Sequence, residues 1–215
     1  MVHSEIVTIL IVDIVGYTKT TTGLRRKEFD FFHEIFDRLS VPIFNKYKGN
    51  IIKKVGDAYF VTFKSTTDSI LCGIELQNAF YSYNKEHKPE HPINIRVILH
   101  AGEVIYRNND IYGDAVNLVA RIESIVKPTH IVFTGTVFNS MNKNEVPFKY
   151  LGVKKFKGIK YPVKLFRVEG AYDKILKRKK LRTRIVKITI ARIILWLIFL
   201  GIIGAGVYLA WRYLL

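Results

Sequence analysis

The order of predicted elements places this chain in the α+β class. The expected core is βαββαβ, of the ferredoxin-like kind, an antiparallel sheet with helices on one face, and a separate apolar tail follows it. Three observations carry that expectation. An unbroken apolar run, Val7–Val12, opens the chain as a buried strand. Helix-like and strand-like periodicities then alternate as far as Ala120, with one hairpin in the middle. Finally, Ile193–Trp211 holds no charged residue, which no element of a small α+β domain requires.

The first strand ends at Asp13, and Ile14-Val15-Gly16-Tyr17-Thr18 leaves it as a loop. A helix is expected from near Thr22, after threonines suited to capping. Its apolar positions are Phe29, Phe32, Ile35, Phe36 and Leu39, and Pro42 bends or ends it. Ile51–Val55 and Tyr59–Phe63 read as a hairpin about Gly56-Asp57. Ser65 caps a second helix with Ile70, Leu71, Ile74, Ala79, Phe80 and Tyr83 on one face. After a polar loop, Asn84–Pro92, a strand covers Ile93–Ile105, and Asn108–Asp110 makes a tight turn. A helix from beyond Gly113 carries Asn117 and Arg121 four residues apart, so an amide and a guanidinium share one face. A strand at Ile131–Thr134, a short helix from Thr136 and a closing pair near Lys149–Val153 and Val163–Val168 complete the domain.

The formal net charge is +16, which calls for an acidic partner such as nucleic acid, anionic lipid or a phosphorylated small molecule. From Asp173 onward ten Lys or Arg stand against one Asp, so +9 of that charge belongs to the tail. The single cysteine, Cys72, excludes an internal disulfide and reads as a packing residue on a helix. Residues 1–12 show no pattern of a cleavable leader.

The uncharged stretch Ile193–Trp211 predicts a single transmembrane helix, about 30 Å long at the α-helical rise. Trp196, Tyr208, Trp211 and Tyr213 lie towards its ends. The dense basic run before it predicts that the N-terminal domain stays on the cytoplasmic side. With four residues beyond, the expectation is a C-terminal anchor over 190–212, a basic juxtamembrane linker over 171–189 that faces membrane lipid, and a folded α+β domain over 1–170. Gly201 with Ala205, and Gly206 with Ala210, have the spacing that permits close helix pairing.

Two carboxylates stand out. Asp13 follows the buried strand and Asp57 sits at the hairpin tip, so neighbouring strands bring both to one sheet edge. Such a pair suits Mg²⁺, although Gly-Asp also suits an ordinary β-turn. The motif set is more specific. Val-Asp-Ile-Val-Gly-Tyr-Thr at 12–18, Lys-Lys-Val-Gly-Asp at 53–57, the run Asp110–Arg121, and Phe-Lys-Gly followed by Pro-Val at 156–163 occur in order with compatible spacing. Together they closely resemble the class III nucleotidyl cyclases, the adenylate and guanylate cyclase catalytic domain, over about residues 5–170.

The resemblance implies the class III catalytic fold and two divalent metals, Mg²⁺ or Mn²⁺, per site. Asp13, Ile14 and Asp57 form the implied metal set. Backbone N–H groups of the Ile14–Thr18 loop, with Gly16, Tyr17 and Thr18, take the phosphates. Lys53 matches the purine-reading lysine, and Asp110 the carboxylate that accepts from the adenine amino group. Guanylate cyclases usually carry Glu and Cys there, so Lys and Asp imply ATP. Asn117 matches the residue that positions the ribose, Arg121 the one that stabilises the attacked α-phosphate, and Lys157 the contact to the terminal phosphates. Sites in this family combine residues of two subunits, which implies a head-to-tail homodimer with two shared sites. The implied activity is a membrane-tethered adenylate cyclase, with no nucleic acid polymer as partner. Guanylate cyclase, or a silent nucleotide-binding regulator, are the competing readings.

The stretch Arg96–Gly102 departs from the family by placing Ile98 and Leu99 where Gly-Ile is common, and Glu103 stands where some members have a basic residue. The expectation for His100 is packing inside the sheet, with no role as base or ligand.

Overall fold

A computed structural model describes residues 2–169 of the chain. The expected basic linker and membrane anchor lie outside these residues, and among the described ones no helix is long and apolar enough to cross a membrane. Eight strands form one sheet. Its order is β2 (Asn50–Val55), β3 (Ala58–Phe63), β1 (His3–Ile14), β4 (Ile95–Arg107), β6 (Ile131–Thr134), β8 (Val163–Val168) and β7 (Phe148–Lys154), with β5 (Asp110–Tyr112) paired to β4 alone. The first four strands, β1 (His3–Ile14), β2 (Asn50–Val55), β3 (Ala58–Phe63) and β4 (Ile95–Arg107), pair antiparallel in the order expected of a βαββαβ core. Beyond them β4 pairs parallel with β6 (Ile131–Thr134), so the sheet is mixed rather than purely antiparallel. The parallel pairing follows from the crossover that separates the two strands.

β1 explains why the core lies on both sides of the sheet. All residues from Val7 to Ile14 are buried. With side chains alternating across a strand, Leu10, Val12 and Ile14 join one apolar cluster, while Val7, Ile9 and Ile11 join another. The first cluster is closed by α2 (Arg26–Lys46), α3 (Thr66–His87) and α5 (Gly135–Ser140), through residues such as Phe36, Leu76 and Val137. The second is closed by α4 (Asp114–Glu123), which buries Ala115, Leu118, Val119 and Ile122. Helices therefore cover both faces, not one. Amphipathicity predicts that α4 needs a sheet face, but not which face it takes.

Other boundaries shift for local reasons. Tyr17–Thr21 coils into a short helix, α1, so the helix expected from Thr22 begins at Arg26 instead. Its cap is the Glu28 carboxylate, which accepts the Arg25 N–H at 2.8 Å. Pro42 lies inside α2 without ending it. The carbonyl that it deprives of a partner belongs to Arg38, an exposed residue, where water can take the hydrogen bond. Ser65 caps α3 by accepting the Asp68 N–H at 3.2 Å, as expected. That helix runs on to His87 because Asn84 serves it as a bracket and not as a loop residue. Its amide donates to the Ile93 carbonyl at 2.8 Å and its oxygen accepts the Ile93 N–H at 2.9 Å. Cys72 is buried on α3, in its expected packing role. The closing pair is β7 (Phe148–Lys154) with β8 (Val163–Val168).

Candidate active site

The sheet ends of β1 and of the β2–β3 hairpin converge. Asp13 pairs with Ala58 across the ladder, and the Ile14 N–H donates to the Asp57 carbonyl at 3.3 Å. Both carboxylate residues thus stand on one edge, where the sequence puts them. Asp13 is only 5 % exposed. Burial pushes its carboxyl well above the ordinary carboxylate range; Arg96 opposes this, and the neighbouring charges of Asp57 and Glu123 reinforce it. Among the described residues the cation in contact is Arg96, whose Nε donates to Asp13 Oδ2 at 2.6 Å and whose Nη2 donates to Glu123 Oε1 at 2.7 Å. Arg96 divides its charge between two acids, which leaves the Asp13 edge short of positive charge.

The donor chemistry fits a hard cation. Among the described residues no group of three or more His, Cys, Asp or Glu is arranged to hold a metal. The protein donors at this edge are two carboxylates with backbone oxygens. Mg²⁺ is commonly held that way, by one or two carboxylates with substrate phosphates and water completing the shell. Asp13, Ile14 and Asp57 are placed to be that partial shell.

The loop after Asp13 is more committed than the sequence suggests. The Ile14 N–H goes to Asp57, and the Val15 N–H to the Asn94 carbonyl at 2.8 Å. That leaves the N–H groups of Gly16, Tyr17 and Thr18, at the start of α1, where first-turn N–H groups have no acceptor within the helix. Gly16 has φ 75°, which only glycine adopts freely.

A second group forms around β5 (Asp110–Tyr112). Asn108 and Asn109, both at positive φ, make the turn, so Asp110 opens a three-residue strand rather than sitting on the turn itself. Lys53 Nζ meets Asp110 Oδ2 at 2.7 Å, across 57 residues of chain. Burial raises the Asp110 carboxyl, yet the hydrogen bond from Lys53, the Ile111 N–H at 2.7 Å and the Lys53 charge together hold it below the usual range. The lysine also lies 5.3 Å from the centre of the Phe60 ring. An ammonium donor and a carboxylate acceptor side by side can read the edge of a heterocyclic base.

Asn117 and Arg121 stand one turn apart on the exposed side of α4. Arg121 does not pair with Glu123, whose carboxylate is engaged by Arg96. Lys157 is exposed in the loop between β7 and β8, next to Gly158. Among the described residues, no hydrogen bond or ion pair joins Asn117, Arg121 or Lys157 to Asp13 or Asp57. The acids and loop form one group at the end of β1, and Lys53 with Asp110 a second, with Asn117 and Arg121 exposed on α4.

His100 is buried, as expected. Its Nδ1 lies 2.9 Å from Thr134 Oγ1 and 3.2 Å from Thr136 Oγ1, and burial brings its pKa down to about 4. It is neutral at pH 7. Arg96 is the functional residue that the sequence reading misses. Its signal was an arginine just ahead of the buried run Val97–His100, two residues before Ile98.

Comparison with known proteins agrees with this geometry. The family model described as the adenylate and guanylate cyclase catalytic domain matches residues 1–170. The serine/threonine-protein kinase pkn2 of Myxococcus xanthus is 28% identical over 173 residues, covering 80% of this chain and 21% of that protein. Putative adenylate cyclase 3 of Rhizobium meliloti is 24% identical, covering 77% of this chain and 28% of that protein. The chain thus spans under a third of the length of these relatives. The crystal structure of the adenylyl cyclase CyaB from P. aeruginosa superposes with a TM-score of 0.72 at 21% identity, over 80% of this chain and 97% of that one, a likeness of fold. Proteins named as adenylate cyclases and as guanylyl cyclases are both among the matches. With its fold, its acid edge and its family match in agreement, the chain belongs to the adenylate and guanylate cyclase catalytic domain family.

Proposed function

We propose that this chain is a membrane-tethered adenylate cyclase that converts ATP to 3′,5′-cyclic AMP and pyrophosphate, working as a homodimer with two shared sites. The observation that carries the choice of base is the Lys53–Asp110 pair at 2.7 Å. Asp110, held as a carboxylate, accepts from the exocyclic amino group of adenine, while Lys53 donates to an acceptor on the ring. Guanine offers a carbonyl at the place of that amino group, and a carboxylate facing it would be left without a donor.

In the reaction the ribose 3′-oxygen bonds to the α-phosphorus as the bond to the bridging oxygen of the β-phosphate breaks. The hydroxyl proton passes to solvent and pyrophosphate leaves. Two Mg²⁺ or Mn²⁺ ions, held by Asp13, Ile14 and Asp57, would supply acidity to the 3′-hydroxyl and neutralise the triphosphate. Asn117 orients the ribose, and Arg121 stabilises charge that grows on the α-phosphate. Lys157 and the N–H groups of Gly16–Thr18 hold the terminal phosphates.

Asn117 and Arg121 are exposed and, among the described residues, make no bond to the acids of their own chain, which supports the shared-site reading. The uncharged Ile193–Trp211 and its basic flank support the tether, which would hold the domain at the cytoplasmic face and raise the local concentration of its partner.

The decisive assay gives the detergent-solubilised protein ATP or GTP, with and without Mn²⁺. Cyclic AMP formed well ahead of cyclic GTP supports the proposal. Much faster turnover of GTP makes the chain a guanylate cyclase. ATP binding with no cyclic product in Mn²⁺ makes it a regulator.

A further inference from the structure

Asp13 ends β1 and Asp57 sits on the hairpin turn, each close to a glycine at positive φ. Gly16 has φ 75° and Gly56 has φ 59°, and in each case a Cβ would meet open space. What does touch both segments is one side of α2. His33 and Asp37 lie one turn apart on that helix, beside the core residues Phe32, Ile35 and Phe36.

His33 reaches the loop after Asp13. The Tyr17 O–H lies 2.7 Å from His33 Nε2, and the two rings meet edge-on at 5.4 Å between centroids. Phe29 closes the other side of the imidazole at 4.6 Å. Asp37 reaches the hairpin. Its Oδ1 accepts from Lys54 Nζ and, at 2.7 Å, from the Tyr59 O–H. Lys54 and Tyr59 flank Asp57 on the two strands of the hairpin.

Packing by itself would ask for apolar groups at these positions. Instead there are five polar groups, His33 with Tyr17 and Asp37 with Lys54 and Tyr59, joined by three hydrogen bonds. Their nearness to the acid edge shows in the electrostatics. Burial and the charge of Asp57 raise the Tyr17 phenol. Burial, then the Lys54 charge, pull His33 below its ordinary value.

We propose that His33 and Asp37 are positioning residues for the cation site. They brace from outside an acid spacing that the β1–β3 ladder sets, by holding Tyr17 on one side and Lys54 with Tyr59 on the other. The assignment rests on the reading of Asp13 and Asp57 as the metal-holding carboxylates. Outer partners that orient ligands typically change metal affinity by about tenfold to a hundredfold when removed.

The test is a Mn²⁺ titration of the full chain in detergent with a non-hydrolysable ATP analogue, reading free Mn²⁺ by electron paramagnetic resonance, with a thermal melt of each variant. Tyr17→Phe and His33→Ala should each weaken Mn²⁺ binding about tenfold. Because both break the same hydrogen bond, the double variant should lose the same factor rather than its square. His33→Gln offers an amide oxygen to that hydroxyl and should recover affinity to within about threefold of wild type. Asp37→Ala should weaken binding independently and multiply with His33→Ala. Asp57→Ala separates the two levels of the argument. If it leaves Mn²⁺ binding intact, the metal reading fails and the proposal with it. If it abolishes binding while the α2 variants only lower the melting temperature, the metal reading stands and α2 is scaffold. Factors that multiply in the Tyr17/His33 double variant would also overturn the clamp.

Discussion

Replacing His100 with Gln should remove a pH dependence of stability that the wild-type chain carries between about pH 7.5 and pH 5. The side chain is 5 % exposed, is bonded to two threonine hydroxyls, and has its pKa lowered by burial from 6.5 to about 4. Between those values the unfolded chain takes up a proton at this residue and the folded chain does not. Stability from His100 is therefore complete above about 6.5 and falls away as the pH drops towards 4. The whole gap corresponds to about 3 kcal/mol at 1.36 kcal/mol per pH unit, and the part between pH 7.5 and 5 to about 2 kcal/mol. Asp13 acts in the opposite sense. Its raised pKa contributes stability at low pH that is lost as pH rises through the folded value, so the wild-type curve alone mixes two opposed slopes.

The difference between wild type and His100→Gln isolates the histidine. Guanidinium unfolding of the detergent-solubilised chain, followed by circular dichroism, gives that difference at each pH. The advantage of wild type should shrink by about 2 kcal/mol from pH 7.5 to pH 5. Parallel curves would refute the reasoning. They would mean that His100 titrates as an open, hydrated imidazole and that a role in proton transfer has to be reconsidered.

Three further outcomes are expected. Lys53→Glu alone sets two acids against each other and should lower cyclic AMP formation on the order of a hundredfold, while Lys53→Glu with Asp110→Cys should favour GTP; retained ATP preference in the double variant would end the base assignment. Asp57→Ala and Arg121→Ala chains should each be nearly inactive, and an equal mixture should regain about a quarter of wild-type activity, since half the dimers then hold one intact site of two; no recovery between folded, paired chains counts against shared sites. Truncation after Lys180 should move the protein from the membrane pellet to the soluble fraction, and continued sedimentation with membranes would point to another attachment.

Much of the fold is legible because its signals are local. The Val7–Val12 run, the Gly56-Asp57 turn, the Ser65 cap and β6 at Ile131–Thr134 all depend on residues within a few positions of one another. Misplaced features depend on distant partners. Asn84 looks like loop because its Ile93 bracket is invisible until α3 and β4 are side by side. The start of α2 is misjudged because five residues, too few to show a period, coil into α1 just before it. The site divides the same way. Asp13, Asp57, Asn117 and Arg121 lie in short motifs, whereas the hold of Arg96 on Asp13 spans 83 residues and its bond to Glu123 spans 27. No periodicity predicts such a pairing.

That Arg96 link gives α4 a double duty. Its buried residues fix it to the sheet, and Glu123 at its C-terminal end reaches back through Arg96 to Asp13 of its own chain. Asn117 and Arg121 of the same helix are exposed. On the shared-site reading, one ten-residue helix touches the metal half of one site and supplies the ribose and phosphate contacts of the other. A cation arriving at Asp13 competes with Arg96 for the same carboxylate, and any release of Arg96 is felt at Glu123. Two sites that share a rigid helix cannot be filled without reference to each other, so filling the first should change the metal affinity of the second. Uniform, non-cooperative Mn²⁺ binding to the dimer, with Glu123→Gln indistinguishable from wild type, would show that α4 carries no such coupling.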